Sequence, residues 1–283
     1  MLHLIEISSM MHRAYHVAPP LVRPSDERPI GAVYVLAQMV HALLKKMGDC
    51  THRVAVFDAG RSGRDKIDAS YKANRGTISA DLSIQIPMAR NVCKAFSIAT
   101  CDVKGYEADD VIATLTRQAE EAGKQVRIAS NDKDFLQLVS SQTEMYDTQK
   151  NTLVGPIQVQ CQWGIEPSQF VDMQALSGDT ADNVPGVQGI GPKIAAELLK
   201  EYGTLEAVLK AAPEIKQQAR RVSLLAHANQ ALKCRELVRL IDNVPETPSF
   251  EDFPARSADE DGLRKLCEYL ESKTLPGKLG LEN

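Results

Sequence analysis

Short apolar runs alternate with longer stretches of helical spacing through the first half of the chain. Leu2-His3-Leu4-Ile5 reads as a buried strand running into Glu6, residues 30–47 carry apolar side chains at helical spacing, and residues 53–57 form a second strand that delivers Asp58. A polar interval with Gly60 and Gly63 follows, and from Arg61 to about Arg90 the chain is basic and weakly patterned, which reads as an insertion outside the core. A helix over 87–96, a short strand near 98–103, a helix starting at Glu107 with Val111, Ile112 and Leu115 inward, and a strand over 125–129 leading to Asp132 and Asp134 complete the alternation. Such βα alternation predicts an α/β fold, a mainly parallel twisted sheet with helices on both faces.

After Trp163 the pattern turns helical for good. Helices are expected over 169–176, from Pro192 to 200, over 205–211, across 214–241 with an irregular start, and over 258–272. The expected organisation is therefore a sheet core over 1–165, with its insertion at about 61–90, and an all-helical region over 166–283.

Composition narrows the class. With 283 residues and 43% hydrophobic content the chain can bury a sizeable core, as one large domain or a core plus a satellite. The six cysteines (Cys50, Cys93, Cys101, Cys161, Cys234, Cys267) show no CxxC pairing, and no hydrophobic leader precedes the first strand, so disulfides and structural zinc are disfavoured and a reducing cytoplasm is expected. No apolar run approaches the roughly 18 residues of a membrane span. The net charge of −4 argues weakly against a nucleic-acid partner, unless part of the acid is committed to metal and the basic residues act locally.

That acid is clustered. Glu6 and Asp58 follow strands; Glu107, Asp109 and Asp110 stand in GYEADD; Asp132 and Asp134 in NDKD; Asp179 and Asp182 in GDTAD. In an open parallel sheet the strand ends form one edge, where sites are built. On a helix Glu107 and Asp110 share a face while Asp109 lies about 100° away. Each cluster alone is compatible with a solvated turn or helix start; together, on one edge, they predict a cation site. Oxygen-only donors select hard ions, Mg²⁺ or Mn²⁺, and two such ions are an arrangement for phosphodiester cleavage. Tyr71-Lys72-Ala73-Asn74-Arg75 sets an aromatic ring beside cations, which suits a stacked base and held phosphates, although a basic loop of this length is also commonly just solvated. The turn with Gly186, Gly189 and Gly191 opens a helix whose free N–H groups, with Lys193, suit a phosphate.

The runs Ile5-Glu6-Ile7-Ser8-Ser9 through Arg13-Ala14-Tyr15-His16, Val56-Phe57-Asp58-Ala59, Tyr71 to Arg75, Gly105-Tyr106-Glu107-Ala108-Asp109-Asp110, Asp132-Lys133-Asp134 and Gly178-Asp179 through Gly191 resemble the 5′-nuclease domain of bacterial DNA polymerase I, in the flap endonuclease family. The resemblance is collinear over about residues 2–245. It implies a PIN-like core, a helical arch made by the basic insertion, and a helix-three-turn-helix that grips duplex DNA. It implies a first metal surrounded by Glu107, Asp109, Asp110 and Asp132 with Glu6 and Asp58, and a second completed by Asp134, Asp179 and Asp182. Asp109 and Asp110 are taken as catalytic with Lys72 and Arg75, which would stabilise charge on the scissile phosphate. DNA contacts would come from Arg13, Arg64, Tyr71, Lys72, Arg75, Gly186, Gly189, Gly191 and Lys193, and K⁺ is permitted at the glycine turn.

Departures from the family pattern are Glu6-Ile7 in place of Asp and a small residue, Gly63 before Arg64, Gly76-Thr77-Ile78-Ser79 after Arg75, and Asn131 in place of Gly. With no polymerase domain before its end at residue 283, the chain resembles stand-alone bacterial or phage 5′-nucleases. The expected activity is metal-dependent cleavage at 5′ flaps, nicks and gaps by a monomer acting on branched or nicked DNA, or on an RNA–DNA hybrid, away from membranes. The alternatives are a ribonuclease of the same fold that removes RNA primers, and a DNA-structure-binding protein with muted catalysis, to which Glu6 points.

Overall fold

The computed structural model describes residues 1–281; the last two residues of the expected helical region lie outside it. Among the described residues six strands form one sheet in the order β3-β2-β1-β4-β5-β6, with β1 Leu2–Glu6, β2 His52–Val56, β3 Ala99–Cys101, β4 Val126–Ser130, β5 Thr143–Asp147 and β6 Thr152–Val154. All neighbours pair in parallel except β5 with β6. The chain first winds outward from β1 to β3, then returns to lay β4 on the other side of β1. The order therefore reverses between β1 and β4, and the crevice at their carboxyl ends is where such a sheet binds ligands.

Period-two burial decides which helices cover which face. Leu2, Leu4, Val54, Val56, Val126 and Ile128 point to one side, into a cluster shared with α6 (Ala108–Glu121) and with the later helices, from α7 (Pro156–Trp163) and α8 (Phe170–Ser177) to α9 (Pro192–Tyr202), α10 (Leu205–Ala211), α11 (Gln218–Ala226) and α12 (Ala228–Val238). Ile5, Ala55, Phe57, Ala129 and Tyr146 point to the other side, against α1 (Ile7–Val17), α2 (Gly31–Met47), α4 (Ala80–Gln85) and α5 (Ala89–Ala95). The last two helices, α13 (Glu260–Tyr269) and α14 (Leu275–Leu279), pack on this second face rather than with α8–α12, through Leu263, Leu266, Leu270, Leu275 and Leu279.

The stretch expected to stand outside the core does not. Residues 61–79 form only the four-residue helix α3 (Arg64–Ile67) and turns, laid across the carboxyl edge, with Arg64, Tyr71 and Lys72 at 2%, 3% and 8% exposure. The strand β5, the edge strand β6 and the helix α1 were not marked by the apolar pattern. In α1 the apolar positions Ile7, Met10, Met11 and Ala14 are buried, a two-faced helix that begins at once after Glu6.

At the amino end of the second face, His3 sits in register between Arg53 and Arg127. Its ring is fully buried and neither nitrogen has a partner. Burial, with Arg53 and Arg127 beside it, pushes His3 down to about 3, so the ring is neutral in the fold. An unfolded histidine takes up a proton near about 6.5, so between those values the unfolded chain binds one proton more. Stability from this group is complete above the unfolded value and declines as pH falls, with a limiting slope of about 1.4 kcal/mol per pH unit. Urea unfolding of wild type and His3→Leu across this window should show the slope reduced by one proton in the variant; parallel curves would contradict it.

Candidate active site

A cavity of about 600 Å³ opens at the β1/β4 crevice, and four carboxylates from four elements line it: Glu6 at the end of β1, Asp58 after β2, Asp109 in the first turn of α6 and Asp132 after β4. Lys72 and Arg75 line it too. Glu6 is the residue preceding α1 and Glu107 the one preceding α6, so two helix amino ends start at the site. The α6 end is used directly, since the Ala108 N–H donates to Asp58 Oδ1 at 2.9 Å. The Ser130 hydroxyl donates to Glu6 Oε2 and accepts from the Asp132 N–H at 2.9 Å, which fixes both acids relative to β4.

These acids crowd one another. Burial and then Asp132 push Glu6 up to about 8. Asp109 is raised well above the ordinary carboxylate range by burial and by Glu6, Asp132 and Asp58. Among the described residues Asp109 has neither a hydrogen bond nor an ion pair, and no three His, Cys, Asp or Glu side chains are already gathered closely enough to hold a metal. Mutual repulsion accounts for both observations, and the oxygen-only donor set fits a hard divalent ion that would draw the acids together.

The remaining predicted ligands stand elsewhere. Asp110 is fully buried and saturated: Arg64 Nη1 and Nη2 donate to its two oxygens at 2.7 and 2.8 Å, the Ile241 N–H donates at 2.8 Å, and Ser62 donates as well. In the fold, Asp110, expected as a metal ligand and catalytic group, is bonded internally and does not line the cavity, because the turn of helix that aims Asp109 at the cavity aims Asp110 away. Glu107 is likewise enclosed, receiving Lys72 Nζ at 2.9 Å, the Tyr71 hydroxyl at 3.2 Å and Arg64 Nη1 at 3.3 Å.

Asp134, Asp179 and Asp182 form a second group that does not line the cavity. Asp134, pushed up to about 7 by burial and Asp132, accepts from Gln174 at 2.6 Å. Asp179 is paired to Lys133 at 2.5 Å, and Asp182 to Arg75 at 2.6 Å with Lys72 at 3.5 Å. Lysine and arginine thus stand where a second ion was expected.

Two residues expected to contact DNA lie inside the fold. The Tyr71 ring, with Lys72 Nζ at 5.0 Å and Arg64 at 6.0 Å from its centroid, is buried and presents no face to a base. Arg64 is committed to Asp110 and, at 2.8 Å each, to the carbonyls of Leu237 and Arg239. Arg13 and Arg75 do border the cavity, although Arg13 already donates to Thr148 at 2.7 Å and Asn131 at 3.4 Å. Lys72 adopts φ +54°, a left-handed backbone costly for a side-chain-bearing residue, locked by its N–H on the Asp182 carbonyl at 3.0 Å.

In the glycine turn Gly186 is structural, since a Cβ would meet the Gly178 nitrogen at 2.3 Å. Its carbonyl accepts from Gln230, and that of Gln188 from Ser223. Gly189, Gly191 at the start of α9, and Lys193 are exposed. Ser8, His12 and His16, which also line the main cavity, carried a signal that was passed over: i, i+4, i+8 spacing on the polar side of α1, directly after Glu6.

A parallel sheet whose carboxyl edge gathers acids around a cavity, joined to a compact helical module, is the layout of resolvase-like nuclease folds. The chain belongs to the 5′-3′ exonuclease family: residues 1–164 match its N-terminal resolvase-like domain and residues 165–261 its C-terminal SAM fold. It is 43% identical over 251 residues to DNA polymerase I of Rhizobium leguminosarum, covering 86% of this chain and 25% of that one. It is 34% identical over 275 residues to a 5′-3′ exonuclease of Aquifex aeolicus, covering 97% of this chain and 93% of that one. The chain thus spans about a quarter of the polymerase it matches. Among solved structures, the bacteriophage T5 D15 flap endonuclease, in a pseudo-enzyme–product complex with DNA and metal ions, superposes with TM-score 0.71 at 20% identity over 95% of this chain and 97% of that one.

The separation of neighbours Asp109 and Asp110 into different roles is testable. Asp110→Ala removes the bidentate partner of a buried guanidinium, leaving it Glu107 at 3.3 Å, and should cost about 3 kcal/mol of stability while sparing Mn²⁺ binding. Asp109→Ala removes a crowded charge and should leave the melting temperature unchanged or higher while abolishing tight Mn²⁺ binding. Urea unfolding and titration calorimetry read the two effects, and a reversed pattern would exchange the assignments.

Proposed function

We propose that the chain is a divalent-metal-dependent 5′-nuclease that hydrolyses phosphodiesters at 5′ flaps, nicks and gaps in DNA. The observation that carries this reading is the convergence of Glu6, Asp58, Asp109 and Asp132 on one cavity that Lys72 and Arg75 also line. Mg²⁺ or Mn²⁺ held there would supply an activated water and positive charge for the leaving oxygen. The chain's own residues orient and neutralise. Glu6, fixed by Ser130, keeps the β1 end in the ligand set despite its extra methylene. Lys72, clamped in its left-handed backbone, and Arg75, more than half exposed at its side chain, face the phosphate with charge already placed. A second ion would engage Asp134 and Asp179 by displacing Lys133.

Duplex DNA would lie on the helical module, its phosphates received by Gly189, Gly191 and Lys193 at the start of α9. With the Gly186 and Gln188 carbonyls committed to Gln230 and Ser223, we assign phosphate rather than K⁺ to this turn. Among the described residues no helix is long and apolar enough to cross a membrane, and all six cysteines are free. We infer a monomer acting in the cytoplasm.

A panel of labelled 5′-flap, nicked and gapped duplexes in Mg²⁺ and in Mn²⁺ tests the reading. Wild type should cut flaps, and Glu6→Gln should cut them slower by orders of magnitude while still binding them in Ca²⁺. Absence of cleavage by wild type in both ions would favour a silent binder, and cleavage confined to RNA 5′ strands would favour a primer-removing ribonuclease.

Lys72→Ala should lower single-turnover cleavage far more than affinity. Lys193→Ala should chiefly weaken binding and reduce its salt slope by about one phosphate contact. Equal losses of rate and affinity in both variants would refute this division.

A further inference from the structure

The cavity has a wall that the proposed chemistry leaves unused. Beside the carboxylates runs the polar side of α1, fastened at both ends. The Ser8 hydroxyl accepts from the Asp58 N–H at 3.1 Å, and the Tyr15 hydroxyl accepts from Ser79 at 2.8 Å, which ties α1 to the segment 76–79 across the mouth. One turn beyond Ser8 stands His12, and one turn further His16.

The donors of the cavity differ in availability. Lys72 is held by Glu107, while Arg75 gives only Nη2 to Asp182 and Arg13 only Nη1 to Thr148 and Asn131, so both guanidinium groups are partly committed. His12 and His16 make no hydrogen bond among the described residues, although both open into the cavity. His12 lies within the fields of Asp58, Arg75 and His16, with burial the largest influence on it, and the net effect is to lower its proton affinity. A neutral imidazole keeps one N–H to donate and gains a second when an anion arrives.

We propose that His12, supported by His16, receives the phosphate on the 5′ side of the bond to be cut, which is the terminal 5′-phosphate when a single nucleotide is released. The inference rests on the 5′-nuclease reading. With the scissile phosphate at the carboxylate floor and the duplex on α9, outside the cavity, what the cavity must hold is the 5′ piece. Its next phosphate cannot face acids, and α1 is the wall that brings two uncommitted imidazoles, His12 and His16, beside Arg13. The site reads charge and hydrogen bonding rather than base identity.

The experiment measures binding in Ca²⁺ and single-turnover cleavage in Mg²⁺ on duplexes with a one-nucleotide or a five-nucleotide 5′ flap, each ending in phosphate or hydroxyl. Wild type should bind the one-nucleotide phosphate form about tenfold tighter than the hydroxyl form, the worth of one charge-assisted hydrogen bond. It should ignore the terminus of the longer flap, where an internal phosphate occupies the site. His12→Phe, which keeps a ring but no donor, should lose the discrimination on the short flap and weaken both long flaps equally. His12→Gln, which keeps a donor N–H, should restore part of it and serves if the Phe variant does not fold. Discrimination by His12→Phe equal to that of wild type, or none by wild type, overturns the assignment even where flap cleavage is normal. Wild type that cuts none of these substrates brings down the nuclease reading and this one with it.

Discussion

One buried ion pair holds this architecture in register. Arg64 meets both oxygens of Asp110 and spends its remaining hydrogens on Glu107 and the carbonyls of Leu237 and Arg239, while Asp110 also takes the Ile241 N–H. Three parts of the chain far apart in sequence therefore meet at one point: the strap that crosses the carboxyl edge, the first turn of α6, and the exit from α12. Two charges are taken out of water here, which in isolation is unfavourable by several kcal/mol per ion, about what well-shaped pairing recovers. Its worth is positional. With Asp110 pinned, the rotation of α6 is set, and Asp109, about 100° round the helix, is directed into the cavity.

Around that fixed point charge is sorted into two populations. Glu107, Asp110, Asp179 and Asp182 already have cationic partners in the fold. Glu6 and Asp109 lack such partners and are raised by their neighbours and by burial. Two helix amino ends face them, yet each such end is worth only about 0.3–1 kcal/mol at an exposed site. That is too little to hold several like charges in one crevice. The site is built with a deficit of positive charge, which is the condition under which a divalent ion and a phosphate are both welcome.

Much of this was legible in the sequence, and the failures are informative. Strand ends, the alternation, α10 and the acids of the crevice follow from period-two and helical spacing. What could not be read was the inward use of polar residues. A lone arginine in a weakly patterned basic stretch looks the same whether solvated or buried; only its partner, 46 positions away, distinguishes the two. Tyr71 is ambiguous for the same reason, since an aromatic between cations suits a stacked base as well as an internal hydrogen bond. β5, with the sequence TEMYD, carries polar residues at both ends although mostly buried, and the edge strand β6 is three residues long and mostly exposed, so neither leaves a strong apolar signature.

The helical module is mounted at two points. The chain enters it through α7, and after α12 it returns to the sheet, where Phe253 accepts from the Arg53 N–H at 2.9 Å and Ala255 donates to Thr51 at 2.9 Å, before α13 and α14 close over α5 and α2. Gly262 lets α13 approach so closely that a Cβ would lie 3.1 Å from the Ala95 carbonyl. A body hung from a single linker can swivel about it; one held at two attachments and sharing the sheet's apolar cluster cannot turn without opening that cluster. DNA lying on α9 would accordingly sit at a fixed span from the crevice, and the number of nucleotides between grip and cut would be set by the fold as by a ruler.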